Sequence, residues 1–560
     1  MINWYGIFSS ALWVLGLAIL LASLSWSVYQ AAHSNSSWRH LMVRASYMQA
    51  TATGMTLLTL GLGFLQGSTL WQSMLWFILA AGFATIAWQA HQQPSERSAQ
   101  PWVHRHSTAL GLILLGMMVA SLYAFTIRPW MQPDEPRHYE VILHDARLGK
   151  PGTTDKDVNM AWEREIIADM ETQSFWWYGY SLVGWDPNKL PDSFDTIWDP
   201  IYSRAFYQLP LYYDLAGLGL YTWGQTLSHA QAVLLLRFFG IFWLGISLGG
   251  IYALGRLLFP QRPQIALMAL AFAALWPAHL AANAAVNNDP MAEALVIWAT
   301  YFALRLLRDG PALKSLTWFF LFIILTIYTK RTGFSVLVLM LAIPGWGILH
   351  MARNASRRAR MLGIATLAAG IIAIPLGLYL IKATGRYWLT PSQQANLSPA
   401  RLWQLVLAAP LTKSSLAIYR TFWGWFGWLR VPLPSGLYWA GSIITVGMLL
   451  LLGLGYWQVL DKKRPAWQKM GLILLLLTLL TQIGLTLGKD IVYQAWKAGS
   501  VPQMRYLYPV LPAMLLPMAA GLQRIAPKAG QTRMLTIALL VLLCFNFYIL
   551  AFILYPFFWL

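Results

Sequence analysis

Of the 560 residues, 58% are hydrophobic and only 11% charged, with positive mean hydropathy, against roughly 25% charged residues in an ordinary soluble domain. Lipid is therefore the main solvent, and membrane lipids are its first partners. The balance is basic, 40 Lys plus Arg against 21 Asp plus Glu, but the cations are spread along the chain and not gathered on a soluble face, so no nucleic-acid partner is expected. A single cysteine, Cys544, excludes an intrachain disulfide and thiol-ligated metal centres.

A bilayer core takes about 20 apolar residues per helix. Runs of that kind recur near residues 8–29, 47–66, 70–89, 107–127, 230–256, 264–286, 290–307, 315–330, 333–350, 361–381, 437–459, 468–487, 506–523 and 534–556. They predict an all-α integral membrane protein with about 14 transmembrane helices. The first run lacks a basic n-region and a small-residue cleavage site, as a retained helix does.

The connections holding Arg39 and Arg44, Arg97 and Arg105, Arg256 and Arg262, Arg305 to Lys314, Arg353 to Arg360, Lys462 to Lys469, and Arg524 to Arg533 are basic and fall on every second turn. Positive loops face the cytoplasm. The same alternation assigns the N-terminus and the long connections 128–229, 382–436 and 488–505 to the exoplasmic side, where extracytoplasmic chemistry belongs. Two stretches of these connections are amphipathic. Residues 157–178 place Ile166, Ile167, Met170, Phe175 and Trp176 among acids at helical spacing, and Leu402 to Trp428 sets Trp403, Phe422, Trp423, Trp425, Phe426 and Trp428 beside Lys413, Arg420 and Arg430. Both suit exoplasmic interfacial helices, forming either a lipid-facing groove or an aromatic belt that anchors helix ends.

Just after the fourth span, Asp134 and Glu135 sit between Pro133 and Pro136, whose fixed backbone angles stiffen the turn that presents them. A carboxylate held there can act as a general base, or can ligate a divalent cation that neutralises a phosphate leaving group, and His138 can join either role. Solvated loop charges are the plain alternative. Other polar signals fall at the same ends of helices: Asn287-Asn288-Asp289-Pro290, Thr329-Lys330-Arg331-Thr332 and Gln503-Met504-Arg505-Tyr506. Lys330 and Arg331 lie on a hairpin too short to point anywhere but outward, and an anionic lipid phosphate or ordinary head groups would match them. Arg237 and Glu293, inside spans, read as an ion pair first and a functional site second.

With Pro210-Leu-Tyr-Tyr213, the Phe422-Trp-Gly-Trp-Phe-Gly-Trp428 stretch and Gln503 to Tyr506, the Pro133-Asp-Glu-Pro-Arg-His138 turn resembles the GT-C superfamily of membrane glycosyltransferases. That superfamily includes protein mannosyltransferases and the aminoarabinose transferase of lipid A. The likeness is nearest to a bacterial branch of predicted membrane proteins that share the first-loop motif. Met504 stands where that branch has glycine. The resemblance implies a GT-C-like catalytic core over 107–525, extra N-terminal helices over 1–106 and a C-terminal helix over 526–560. It also implies an inner-membrane location with the active site on the exoplasmic side.

The implied activity is transfer of a sugar, with inversion, from a polyprenyl-phosphate-linked donor to an extracytoplasmic acceptor: an envelope glycan, a lipid or a protein. On the same resemblance Asp134 is the catalytic base or a metal ligand and Glu135 supports it. Lys330, Arg331 and Arg505 bind the donor phosphate, and His138, Tyr139, Asp289, Arg420 and Tyr506 bind substrate. A divalent cation, Mg or Mn, stays open as a cofactor on Asp134, Glu135 and His138. A transporter or flippase for a lipid-linked substrate is the alternative from another class, and a non-catalytic scaffold is a third.

Overall fold

The computed structural model describes residues 3–34, 45–66, 68, 70–92, 102–178, 193–194, 206, 208–310, 312–339, 342–343, 399–408, 411–495, 502–525 and 531–560. The expected span 361–381, most of 333–350 and the first part of connection 382–436 lie outside these residues.

The helices in chain order are α1 (Trp4–Ser34), α2 (Ala45–Gly63), α3 (Leu70–Gln92), α4 (Trp102–Thr126), α5 (Glu135–Leu148), α6 (Met160–Thr172), α7 (Phe175–Tyr178), α8 (Leu211–Trp223), α9 (His229–Leu258), α10 (Pro263–Leu275), α11 (Pro277–Asn283), α12 (Asp289–Asp309) and α13 (Leu313–Thr329). They continue with α14 (Pro399–Ala408), α15 (Leu411–Trp423), α16 (Ser435–Tyr456), α17 (Ala466–Ala495), α18 (Leu511–Ile525), α19 (Gln531–Tyr548) and α20 (Tyr555–Trp559). Strands β1 (Trp425–Phe426) and β2 (Val431–Pro432) pair antiparallel, Trp425 opposite Pro432.

The protein is an all-α membrane protein. Among the described residues, seven helices are long and apolar enough to cross a membrane, and the bent pair α10–α11 makes an eighth. The run at 47–66 is interrupted by Gln49, Thr51, Thr53, Thr56 and Thr59. The run at 315–330 gives a helix of 17 residues. The run at 506–523 divides between a 3-10 helix, Met504–Val510, and the 15-residue α18, because Pro509 and Pro512 remove backbone donors where a continuous helix would need them.

The chain divides into two compact units. One comprises Met1–Arg105, Glu140–Asn159 and Tyr213–Ala232. Its polar contacts include Asn3 Nδ2 donating to Tyr221 Oη (2.6 Å), Tyr221 donating on to Gln66 (2.7 Å), and buried Asp145 accepting from both the backbone and hydroxyl of Thr153 (3.0 and 2.6 Å).

The other unit comprises His106–Tyr139, Met160–Tyr212 and Val233–Leu560. Here α6 and α7 turn their apolar residues into protein: Ile166, Ile167 and Met170 of α6 and Phe175 and Trp176 of α7 are all buried. Of the two expectations for this stretch, a lipid-facing groove or an aromatic belt, neither describes these five side chains, which protein covers. Helices α14 and α15 do expose Trp403, Leu407 and Leu416.

Helices α16 and α18 approach so closely that a Cβ at Gly455 would lie 1.9 Å from the Pro517 carbonyl oxygen, and one at Gly521 would lie 2.1 Å from that of Leu451. Small residues let membrane helices bring their backbones together. Gly455→Val is expected to destabilise the protein by about 3 kcal/mol or more, since the obstructing atoms are backbone and cannot rotate away. A thermal melt in detergent checks this, and an unchanged Tm would refute the close packing.

Candidate functional site

The site begins at an arginine. Arg237 is 1% exposed within α9, where an unmatched cation would be costly. Its Nε and Nη2 donate to the two oxygens of Glu135 (2.8 and 2.7 Å), and its remaining donors reach the carbonyls of Ala124, Ile127 and Arg128 (2.8 and 2.9 Å to the first and last). Those carbonyls close the C-terminal end of α4, where the last four helical acceptors have no partner in the helix.

Glu135 is itself fully buried and also accepts from the backbone N–H groups of Gln132 (3.2 Å) and Val286 (3.1 Å). One carboxylate thus ties the Pro133–Pro136 turn to the loop that leads into α12. The expected Arg237–Glu293 pair does not form. Glu293 instead meets His279 Nε2 at 2.9 Å, because the Glu135 turn reaches Arg237 and the bend before α11 delivers His279 to Glu293.

Asp134 takes the left-handed region, φ 70°, a conformation that costs of order 1 kcal/mol and persists only where surroundings enforce it. Its backbone carbonyl accepts from His138 N–H and its side chain, 25% exposed, stays outside α5. Arg505 Nη2 donates to Asp134 Oδ2 at 2.6 Å, and Arg137 lies 3.9 Å from Oδ1. Arg505 Nε is also 3.9 Å from Asp289 Oδ2, while Lys330 Nζ sits 2.6 Å from Asp289 Oδ1.

The result is an alternating series: Arg137, Asp134, Arg505, Asp289, Lys330. Burial alone would push the Asp134 carboxyl up, but the Arg505 and Arg137 guanidiniums outweigh it and hold that carboxyl well below the usual carboxylate range. Burial drives the His138 imidazole down to about 3, with Lys330 and Arg137 adding to the effect of burial and Asp134 opposing it. His138 is therefore neutral at physiological pH.

An aromatic hairpin forms the facing wall. Gly427, Trp428 and Leu429 follow β1 with φ of 51°, 53° and 59°, three successive left-handed residues that reverse the chain within one turn. Trp428 Nε1 donates to the Trp130 carbonyl at 2.8 Å, and Trp130 is left-handed too, φ 72°. Arg420 lies over the Trp425 ring, 5.7 Å from its centroid.

Behind the hairpin, the α10–α11 bend of 64° occurs at Trp276, extended ahead of Pro277 as a residue before proline prefers. The carbonyls freed by the bend find side chains: Ala273 meets His279 Nδ1 at 2.8 Å and Leu275 accepts from Asn546 at 2.7 Å. Between hairpin and bend opens a 50 Å³ cleft lined by Gln132, Pro133, Ala278, Ala281, Ala282, Ala285, Asn287, Thr421, Trp425, Phe426, Gly427, Gln503, Arg505 and Tyr508.

Of the residues singled out in the sequence, Asp134, Arg505, Asp289 and Lys330 are brought together. His138 is buried beside them, close enough for its charge state to feel Asp134, Lys330 and Asp289. Tyr506 is buried with Lys489 Nζ 4.0 Å from its ring centroid, and Tyr139 packs edge-on against Trp130. Arg331 opens a 3-10 turn after Lys330 and is partly exposed, and Arg420 is exposed on α15.

Glu135 is spent on Arg237 and two backbone donors, so Asp134, Glu135 and His138 do not assemble as a ligand set. Among the described residues no three His, Cys, Asp or Glu side chains group to hold a metal ion. Met504 needs no glycine substitute. Gln503 is extended, φ −120°, and Met504 starts a 3-10 helix with its N–H donated to Thr421 Oγ1 at 2.8 Å.

The fold and this site define an all-α membrane protein with a buried acid–base series at the ends of its helices. The chain belongs to the DUF2142 family of predicted membrane proteins, whose model matches residues 196–514, taking in Asp289, Lys330 and Arg505 but not the Pro133–His138 turn. No curated protein matches it.

Among solved structures it is similar to the Archaeoglobus fulgidus oligosaccharyltransferase in the apo form, at 13% identity and TM-score 0.42, covering 82% of this chain and 56% of that one. The same protein tethered to an acceptor peptide with the NVT sequon gives 14% identity and TM-score 0.39, with 82% and 55% coverage. The chain thus spans little more than half the length of the structures it resembles.

Breaking a buried ion pair costs about 3–5 kcal/mol, so Glu135→Gln is expected to lower Tm sharply. Asp134→Asn, at a partly exposed position whose left-handed backbone Asn also adopts and where Arg505 keeps Asp289 nearby, is expected to lower Tm by clearly less. Equal losses in the two variants would contradict the division of roles between these adjacent acids.

Proposed function

We propose that the protein is a membrane glycosyltransferase of the GT-C kind. It moves a sugar, with inversion, from a polyprenyl-phosphate-linked donor to an extracytoplasmic acceptor: an envelope glycan, a lipid or a protein. The observation that carries this reading is the series of three cations and two carboxylates, Arg137, Arg505 and Lys330 against Asp134 and Asp289, beside the cleft. That series carries one positive charge in excess, which a phosphate would complete.

In this mechanism Asp134 takes the proton of the acceptor's hydroxyl or amine while the acceptor atom bonds to the anomeric carbon. The bond from that carbon to the phosphate oxygen breaks, and its electron pair leaves with the lipid phosphate. Arg505 and Lys330 gain attraction as charge develops on that oxygen, so they favour the transition state over the ground state. Glu135 positions Asp134 and does not touch substrate. His138, being neutral, offers a hydrogen bond but no charge.

Among the described residues, the bent span α10–α11 with the buried His279–Glu293 pair is the feature that favours the transporter reading, since interrupted helices mark many transporters. Its polar groups already satisfy the break, which leaves Asp134 and Arg505 without a part in it.

Transfer of labelled sugar from membrane polyprenyl-phosphate donors, with native protein and Asp134→Asn at matched expression, is the deciding assay. A fall of about 100-fold or more is expected from loss of a general base. Lys330→Ala is expected to raise the apparent donor KM with the protein still folded. Full transfer by Asp134→Asn would remove the assigned base.

Exoplasmic placement is tested separately on exposed Asp155. In a Cys544→Ser background, Asp155→Cys is expected to react with an impermeant thiol reagent in intact cells. Labelling only after permeabilisation would invert the topology.

A further inference from the structure

We propose that the cleft beside Arg505 is the seat of the donor's sugar ring, with Asn287 Nδ2 as its selecting hydrogen-bond donor; this deepens, and rests on, the glycosyltransferase reading. Asn287 is 1% exposed and lines the cleft. Its Oδ1 accepts from the Asp289 backbone N–H at 2.7 Å, which fixes the amide orientation and leaves Nδ2 as the other terminus. Nδ2 is buried and has no hydrogen-bond partner among the described residues. A buried amide left unsatisfied costs about 1–3 kcal/mol, so this donor points to a ligand oxygen.

The chemistry of the walls selects the ligand. Gln132 and Gln503 add neutral amides, and Trp425 and Tyr508 add aromatic surface, while Arg505 stands at one end as the only formal charge in the lining. Neutral donors and aromatic surface suit an uncharged polyhydroxyl ring, whose C–H faces pack on aromatics and whose hydroxyls accept from amides. A cation at one end suits the phosphate to which that ring is joined. The alanines 278, 281, 282 and 285 keep the opposite wall shallow enough for the ring to reach Asn287.

Two variants remove the donor and spare the turn. Asn287→Asp and Asn287→Ser both keep an oxygen acceptor for the Asp289 N–H, and the serine variant adds no charge. Binding of inorganic phosphate and of glucose, galactose and mannose 1-phosphates to the full chain in nanodiscs is measured by calorimetry. The native protein is expected to bind at least one hexose 1-phosphate about tenfold or more tightly than phosphate, with both variants losing that margin and binding phosphate as before in Asn287→Ser.

If phosphate binds and no hexose 1-phosphate exceeds it, or if the margin survives in both variants, the sugar seat is overturned while the cation assignment stands. Binding of neither phosphate nor any sugar phosphate overturns the cation assignment as well.

Discussion

The arrangement depends on a single buried ion pair. Taking Arg237 and Glu135 out of water carries a desolvation cost that attraction alone does not reliably recover. Here the geometry is forked on forked, and every other lone pair or proton has work: three helix-end carbonyls on one side, two backbone N–H groups on the other. The pair is therefore less a stabilising contact than a fixture. It holds the end of α4, the Asp134 turn and the loop before α12 in one relation, and the left-handed backbone at Asp134 persists because that relation leaves it no alternative.

A second constraint comes from the bilayer. Backbone groups in lipid must be paired internally, and irregular backbone is tolerated only where protein or a cavity receives it. The bend at Trp276–Pro277 meets that condition through His279 and Asn546, and the Trp276 indole donates to the Phe422 carbonyl at 2.6 Å, fastening the bend to the end of α15. Bend and hairpin are thus one construction. The glycines of the aromatic motif follow from it: at Gly427, left-handed, an added Cβ would lie 2.9 Å from the Phe558 ring.

How much of this was legible in the sequence differs by residue. Asp134, Asp289, Lys330 and Arg505 were visible as polar residues at helix ends in a chain with few charges, and polarity in so apolar a setting is a signal that needs no third dimension. The partner of Arg237 was not visible. Arg237 and Glu293 lie in separate spans at similar depth, and nothing in the linear pattern says that a turn 102 residues away enters between them. The different settings of Asp134 and Glu135 were not visible for the same reason: adjacent acids look alike in sequence, while here one is left-handed and partly exposed and the other is helical and buried. Pro509 and Pro512, and Thr51, Thr53, Thr56 and Thr59, cut two apolar runs short, features that average hydropathy smooths over. Asn287 was flagged only as part of a polar turn. Its idle amide is a property of what surrounds it, which no motif encodes.

The depressed titration of Asp134 bears on the glycosyltransferase reading. A carboxylate gripped by a guanidinium at 2.6 Å is a poor base, and a guanidinium gripped by a carboxylate is a poor phosphate ligand. The two deficits share one remedy. On the proposed reading, a phosphate arriving at Arg505 would compete for the same guanidinium, and Asp134 would lose part of the charge that holds its proton affinity down. Asp289 then matters as the second anchor: with Arg505 Nε 3.9 Å away and Lys330 at 2.6 Å, it keeps both cations in place during the exchange. On that reading the base gains strength only when donor is bound, which limits proton abstraction by an empty site and explains why an acid meant for catalysis is stored in an ion pair.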